Sequence, residues 1–203
     1  MTTTFARYMH DPNNPDPFTP DDLQTMSALA IDAWQSGVDR DWSVPAGTLE
    51  WSCLRTAAHT VDCVFSYALF LASRKVDAYP GGFDELRALP DATAADMVDN
   101  LRAVTTMLWA VIATAEPEAR AAIGAWSRVE TGGPNDFAAR GALEMSLHTH
   151  DIATGLHVPF APPPDVAQRL RDHTSTWPGQ VPVEPSADAW SDVLESSGRA
   201  QTR

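Results

Sequence analysis

Basic side chains are scarce in this chain. Fourteen Lys and Arg stand against 27 Asp and Glu, a formal charge of −13 over 203 residues, with an isoelectric point near 4.6. Nucleic acid requires a basic surface to meet its phosphates and is excluded as a partner. An anionic membrane surface is disfavoured on the same ground. Long hydrophobic runs are also missing: the longest, around 64–72, is interrupted by Ser66 and falls well short of the ~20 residues that cross a bilayer. No apolar leader opens the sequence, since Met-Thr-Thr-Thr-Phe-Ala-Arg runs into a Pro/Asn/Asp stretch, so a cytoplasmic protein is the expectation. Cysteine is limited to Cys53 and Cys63. Ten residues apart on one helix, their α-carbons stand roughly 15 Å from each other, beyond the ~7 Å a disulfide tolerates. Two reduced core thiols are predicted. Internal repeats and alternating strand patterns are absent as well.

What remains is helical, with enough apolar content (44%) for a full core. Residues 11–20 form a proline-punctuated leader. Thr19 then caps a first helix with Pro20 in its first position and Asp21 and Asp22 in its first turn. Leu23, Met26, Ala30 and Trp34 keep helical spacing until Gly37 stops it. A second, broadly apolar helix is expected over about 48–75, carrying Trp51, Leu54, Ala58, Val61, Phe65, Leu69 and Ala72. Pro80-Gly81-Gly82 breaks the chain. A third helix runs over about 94–115 behind Thr93, and a fourth over about 134–154, ended by Gly155. Four helices of about 20 residues indicate an all-α four-helix bundle over residues 1–158. Residues 159–203, with short helical pieces near 165–172 and 188–196, read as a partly helical C-terminal extension packed on it, too short for a core of its own.

The chemistry lies in Glu144-Met-Ser-Leu-His148. A carboxylate and an imidazole four residues apart on a helix project about 40° apart and form half of a metal site. His59, alone in an apolar stretch of the second helix, supplies the other half if the two helices face each other. Each feature alone has a plain structural reading, a hydrogen-bonded core histidine or a solvated Glu–His pair. Together, on the two most apolar helices, they are better explained by a divalent ion that pairs the buried carboxylate. Two imidazoles and one carboxylate leave coordination positions open, as catalytic sites do, whereas structural zinc is closed by four protein ligands. Ligand type alone allows zinc, iron or nickel.

His150 competes with His148 but projects about 200° away from it, and Glu144 shares its face with His148. Asp151, three residues on, stays on that side and can support the ligand. Asp62 and Cys63 follow His59 by three and four residues, so either could add a ligand. Inert core and helix-surface roles suit them at least as well. Arg140, one turn before Glu144, could line a cavity. Trp51 could line a pocket near His59, and nothing in their spacing recommends His10, His157 or His173.

These residues also carry a family resemblance. The run from Trp42-Ser-Val-Pro-Ala-Gly-Thr-Leu-Glu-Trp to His59, then Tyr67-Ala-Leu-Phe-Leu-Ala72 and Glu144-Met-Ser-Leu-His-Thr-His-Asp-Ile-Ala-Thr-Gly-Leu156, resembles the mycothiol-dependent maleylpyruvate isomerase N-terminal domain of the DinB-like superfamily. Asp188-Ala-Trp to Ser-Gly-Arg199 is similar to the ending of actinobacterial members. The resemblance implies a DinB-like bundle holding one divalent metal, usually zinc, on His59, Glu144 and His148. It further implies a thiol transferase or isomerase in which a metal-bound low-molecular-weight thiol, mycothiol or similar, attacks a small electrophilic metabolite. Maleylpyruvate isomerases proper carry a larger C-terminal domain. Cations for a dicarboxylate are few here, with Arg55, Arg74 and Arg140 nearest in sequence. Two other classes fit the same residues: a different metal-dependent small-molecule enzyme, of non-haem iron or natural-product tailoring type, and a non-catalytic small-molecule binder. The protein is expected as a monomer or homodimer.

Overall fold

The computed structural model describes residues 16–80, 86–123 and 130–199. Among them the chain is mostly helical, with six helices: α1 (Pro20–Ser36), α2 (Cys53–Ser73), α3 (Ala94–Ala113), α4 (Pro134–Leu156), α5 (Pro164–Thr174) and α6 (Ala189–Ser196). The expected leader over 11–15, His10, the Gly81-Gly82 break and the last residues, 200–203, lie outside the described residues.

Local chemistry sets the helix starts. In α1 the Thr19 hydroxyl accepts from the Asp22 N–H at 3.3 Å, while the Asp22 carboxylate accepts from the Thr19 N–H at 2.9 Å. The same reciprocal box joins Thr93 and Asp96 ahead of α3. Each box satisfies donors that a bare helix end would leave unpaired. At α4 the Asp136 carboxylate accepts from the Gly133 N–H at 2.7 Å, with Pro134 in the first turn.

Two boundaries differ from the sequence reading. Helix α2 begins at Cys53 and not near Thr48. The stretch ahead of it closes as a loop instead: the Ala46 N–H donates to the Trp51 carbonyl and the Cys53 N–H to the Val44 carbonyl, both at 2.9 Å. Gly47, at φ +56°, makes the turn, and Ser52 caps the helix by accepting from the Arg55 N–H. Trp51 therefore precedes α2 and is not part of it. At the other boundary, α4 passes through Gly155 to Leu156, and His157 takes the left-handed capping conformation at φ +54°. Gly155 is inside the helix because it packs against the Pro45–Ala46 backbone. A short antiparallel pairing also occurs where no strand is expected, β1 (Ala121–Ala122) with β2 (Thr131–Gly132). Two residues per strand are too few to leave a periodic signal.

Packing brings α2 against α3 and α4, and α1 against the same two helices. Leu23, Met26 and Trp34 of α1, Leu71 of α2, Leu101 and Leu108 of α3, and Phe137, Leu143 and Met145 of α4 are fully or almost fully buried. Each such side chain contributes about 1.5–3 kcal/mol on leaving water. The Trp34 Nε1–H donates to the Thr149 hydroxyl at 3.1 Å, so this fully buried tryptophan also fixes how α1 sits on α4. The C-terminal segment is tied on by α5 packing against α4 and by ion pairs. Arg169 forks onto Asp22 of α1 at 2.7 Å, and Arg171 reaches Asp192 of α6 at 2.9 Å. His173, which the sequence did not single out, is buried, 3.0 Å from Asp136 Oδ1. No helix among the described residues is long and apolar enough to cross a membrane.

Candidate metal centre

Helices α2 and α4 pack face to face, and this brings His59 to Glu144 and His148. Glu144 Oε1 lies 3.2 Å from His148 Nε2 and 3.5 Å from His59 Nε2. The two imidazole rings stand edge-on, 5.2 Å between centres. One donor atom from each residue lies within 4.8 Å of the other two, and among the described residues this is the group able to hold a metal ion. Nitrogen and oxygen ligands about 2.0–2.1 Å from a tetrahedral ion stand about 3.4 Å apart, so the two short separations match such a centre. His59 is the most open of the three at 36% side-chain exposure, against 17% for Glu144 and 12% for His148.

The Glu144 carboxylate is held in the ionised form that ligation needs. Burial alone would raise the Glu144 pKa, but hydrogen bonds from His148 and His59 and the charge of Arg140 hold it well below the usual carboxylate range. His148 Nδ1 is 3.2 Å from Asp151 Oδ2. A proton placed there by the carboxylate leaves the Nε2 lone pair facing the centre. Burial lowers the His148 pKa, and the bonds to Asp151 and Glu144 more than offset it, so the net shift is upward. An arriving cation therefore competes with a proton. Asp151 is itself held down by His148 and Arg199 against the upward push of burial. The Arg199 fork meets it at 2.8–3.1 Å.

On the other side of Glu144 the Tyr67 hydroxyl donates to Oε2 at 3.4 Å and accepts from Arg140 Nε at 3.1 Å. Burial first, then the Glu144 charge, push the Tyr67 pKa well above its ordinary value, so it stays a phenol and a donor. Cys63 Sγ is 3.5 Å from His59 Nε2 but outside the convergent group. Burial and the neighbouring Glu144 charge raise its pKa strongly. Asp62 is not brought to the centre either: its carboxylate accepts from the Leu86 N–H at 2.7 Å. Trp51, although ahead of the helix, stands edge-on to His59 at 5.2 Å, and the Arg55 guanidinium lies 4.2 Å over its ring. His150 packs toward Trp190, and Arg74 caps α2.

A cavity of about 240 Å³ opens beside Glu144 and His148, and His59 is not in its lining. Arg140, Glu144 and His148 of α4 form one wall, while Pro178–Gln180 and Arg199 of the C-terminal segment form the other. Sequence reasoning missed Tyr67, Arg199 and the turn at 178–180. Tyr67 carried a usable signal, since it lies eight residues beyond His59 and so about 80° around the same helix. Arg199 stood in the terminal motif that carries the resemblance, but nothing local pointed to Asp151, 48 residues away. In comparisons with known proteins, no family model, no curated protein and no solved structure matches this chain.

Proposed function

We propose that the chain is a DinB-like four-helix bundle with a C-terminal extension, and that it is a metal-dependent thiol transferase or isomerase acting on a small electrophilic metabolite. The observation that supports this reading best is the convergence of His59, Glu144 and His148, one donor atom from each within 4.8 Å of the others, beside a cavity that Glu144 and His148 help to line. The motif resemblance supplies the thiol chemistry. His59, Glu144 and His148 would hold a divalent ion, zinc in the first instance, with positions left open, and such an ion would deprotonate a coordinating thiol at neutral pH and act as a Lewis acid. Asp151 orients His148, and Tyr67 and Arg140 hold the second Glu144 oxygen. Arg140, Gln180 and Arg199 present polar groups to a hydrophilic ligand in the cavity. Iron on the same two-histidine, one-carboxylate set is the alternative.

The deciding experiment is metal content in protein purified without chelator or affinity-tag metal, with His59→Ala and Glu144→Ala in parallel. About one zinc per chain, lost in both variants with helicity retained, together with turnover of an electrophile that requires added mycothiol, supports the reading. Iron with oxygen-dependent turnover moves the assignment to the alternative. No metal, even after soaking with zinc, refutes both.

A further inference from the structure

Three arginines tie the C-terminal segment to the rest of the chain or to itself: Arg169 to Asp22, Arg171 to Asp192, and Arg199 to Asp151. Of these three carboxylates, Asp151 alone also bonds a candidate ligand, through His148 Nδ1 at 3.2 Å. Asp151 is 4% exposed on its side chain. Its Oδ1 accepts from Arg199 Nε at 2.9 Å and its Oδ2 from Nη2 at 2.8 Å. A planar guanidinium gripping both oxygens fixes the plane of the carboxylate. That plane in turn decides where Oδ2 meets the imidazole and hence where Nε2 points.

The same residue anchors the cavity wall. The Arg199 N–H donates to the Leu194 carbonyl at 2.8 Å, and the Val181 N–H to the Ser196 carbonyl at 2.7 Å. The Ser196 hydroxyl donates to Gln180 Oε1 at 2.8 Å. The 178–181 stretch and the 196–199 turn are therefore bonded to each other, and Arg199 ties them to Asp151 of α4.

We propose that Arg199 is a positioning residue for the metal centre, and that metal binding and docking of the C-terminal segment are thermodynamically coupled through Arg199, Asp151 and His148. This rests on the metal reading of His59, Glu144 and His148. Coupling is reciprocal: whatever factor the docked segment adds to metal affinity, the bound metal returns as stabilisation of docking. Removing a supporting partner of a ligand histidine typically lowers metal affinity about 10- to 100-fold.

The test measures zinc affinity by competition with a chelating dye on the full chain, comparing wild type, Arg199→Gln, Arg199→Lys and Arg171→Gln. Arg171→Gln removes an ion pair inside the same segment, at a carboxylate that touches no ligand, and leaves the tie to α4 in place. Arg199→Gln is expected to bind zinc about 10-fold more weakly, the low end of that range because Arg199 acts on His148 through Asp151, with Arg199→Lys intermediate because it keeps the charge and loses the fork. Arg171→Gln is expected to stay within about twofold of wild type, well below that range. In wild type, zinc is expected to slow amide hydrogen exchange at Val181 and Arg199, and Arg199→Gln to abolish that slowing.

Equal zinc affinity in wild type and Arg199→Gln overturns the inference while leaving the metal reading intact. So does an equal loss in Arg199→Gln and Arg171→Gln, or exchange that zinc leaves unchanged. If Arg199→Gln loses its helical circular-dichroism signal, wild-type affinity in Arg199→Lys overturns the inference on its own. A wild-type protein that binds no zinc removes the metal reading and this inference with it.

Discussion

Gly155→Ala adds one methyl group at the closest backbone approach between α4 and the loop that precedes α2. The new Cβ would fall on the Pro45 carbonyl oxygen, with Cys53 Sγ at 2.9 Å and Ala46 Cα at 3.3 Å. The Pro45 and Ala46 atoms are backbone and cannot turn aside. The loop is held by the Ala46 N–H to Trp51 carbonyl bond, the Cys53 N–H to Val44 carbonyl bond and the Leu54 N–H to Trp42 carbonyl bond, at 2.9–3.0 Å. A Gly-to-Ala change inside a helix gains about 1 kcal/mol in propensity, and forcing a methyl into a closed core costs about 1–3 kcal/mol or more. Against a backbone that cannot retreat, the upper end applies, for a predicted net loss of about 2 kcal/mol. With a urea slope of about 2–3 kcal/mol per molar, the unfolding midpoint falls by roughly 0.7–1 M.

Gly141→Ala is the control. There the new methyl meets the Leu108 Cδ2 methyl, the movable end of a side chain, so propensity gain and packing cost nearly cancel. Its predicted net effect is within about 1 kcal/mol. Urea unfolding followed by circular dichroism reads both variants. A Gly155→Ala protein as stable as wild type, or more stable than Gly141→Ala, refutes the close approach and with it the packing that sets α2 against α4 at the candidate metal site.

Other perturbations follow from the same geometry. Zinc at 1,000 times its Kd is expected to add about 4 kcal/mol, a rise in Tm of about 10 °C for a chain of this length; differential scanning fluorimetry showing the same rise in Glu144→Gln would count against the site. Asp192 is pushed up by burial, but the Ser186 bonds and Arg171 outweigh this and hold it below its ordinary value. Its contribution is present above about pH 4 and is lost as pH falls through the folded pKa. Asp192→Asn is thus predicted to be less stable than wild type at pH 7, with the gap closing below pH ~4, and a gap that stays constant in urea melts down to pH 3.5 contradicts this. Cys53 is fully buried and raised to about 11, mainly by burial, and burial likewise raises Cys63. At pH 8 the thiolate fraction of Cys53 is about one in a thousand. Ellman's reagent should therefore count two thiols in denaturant and titrate neither promptly in the folded protein.

Much of this molecule is written in local sequence. Thr19 with Asp22 and Thr93 with Asp96 announce helix starts three residues ahead, because a capping box is made by neighbours in the chain. Glu144 and His148 share a face by helical pitch alone, and Asp151 reaches His148 for the same reason. The scarcity of basic residues and of apolar runs narrows the range of partners with no structure at all. Glycine is a poorer guide. Gly155 looks like a stop signal but lies inside α4, because its lack of a Cβ is used by Pro45 and Ala46, more than 100 residues earlier in the chain. The same loop, closed by its own backbone bonds, takes Trp51 out of the helix that its apolar spacing predicts.

Only tertiary packing decided that His59 faces the Glu144–His148 pair, that Asp62 turns away to hold the Leu86 N–H, and that Tyr67 and Arg140 share the second Glu144 oxygen. It alone brought Arg199 to Asp151. The physical reason is range. Helical pitch and capping relate residues three or four apart, so sequence determines them directly. Contacts between elements depend on which apolar faces bury each other, and that choice is settled by the fold as a whole.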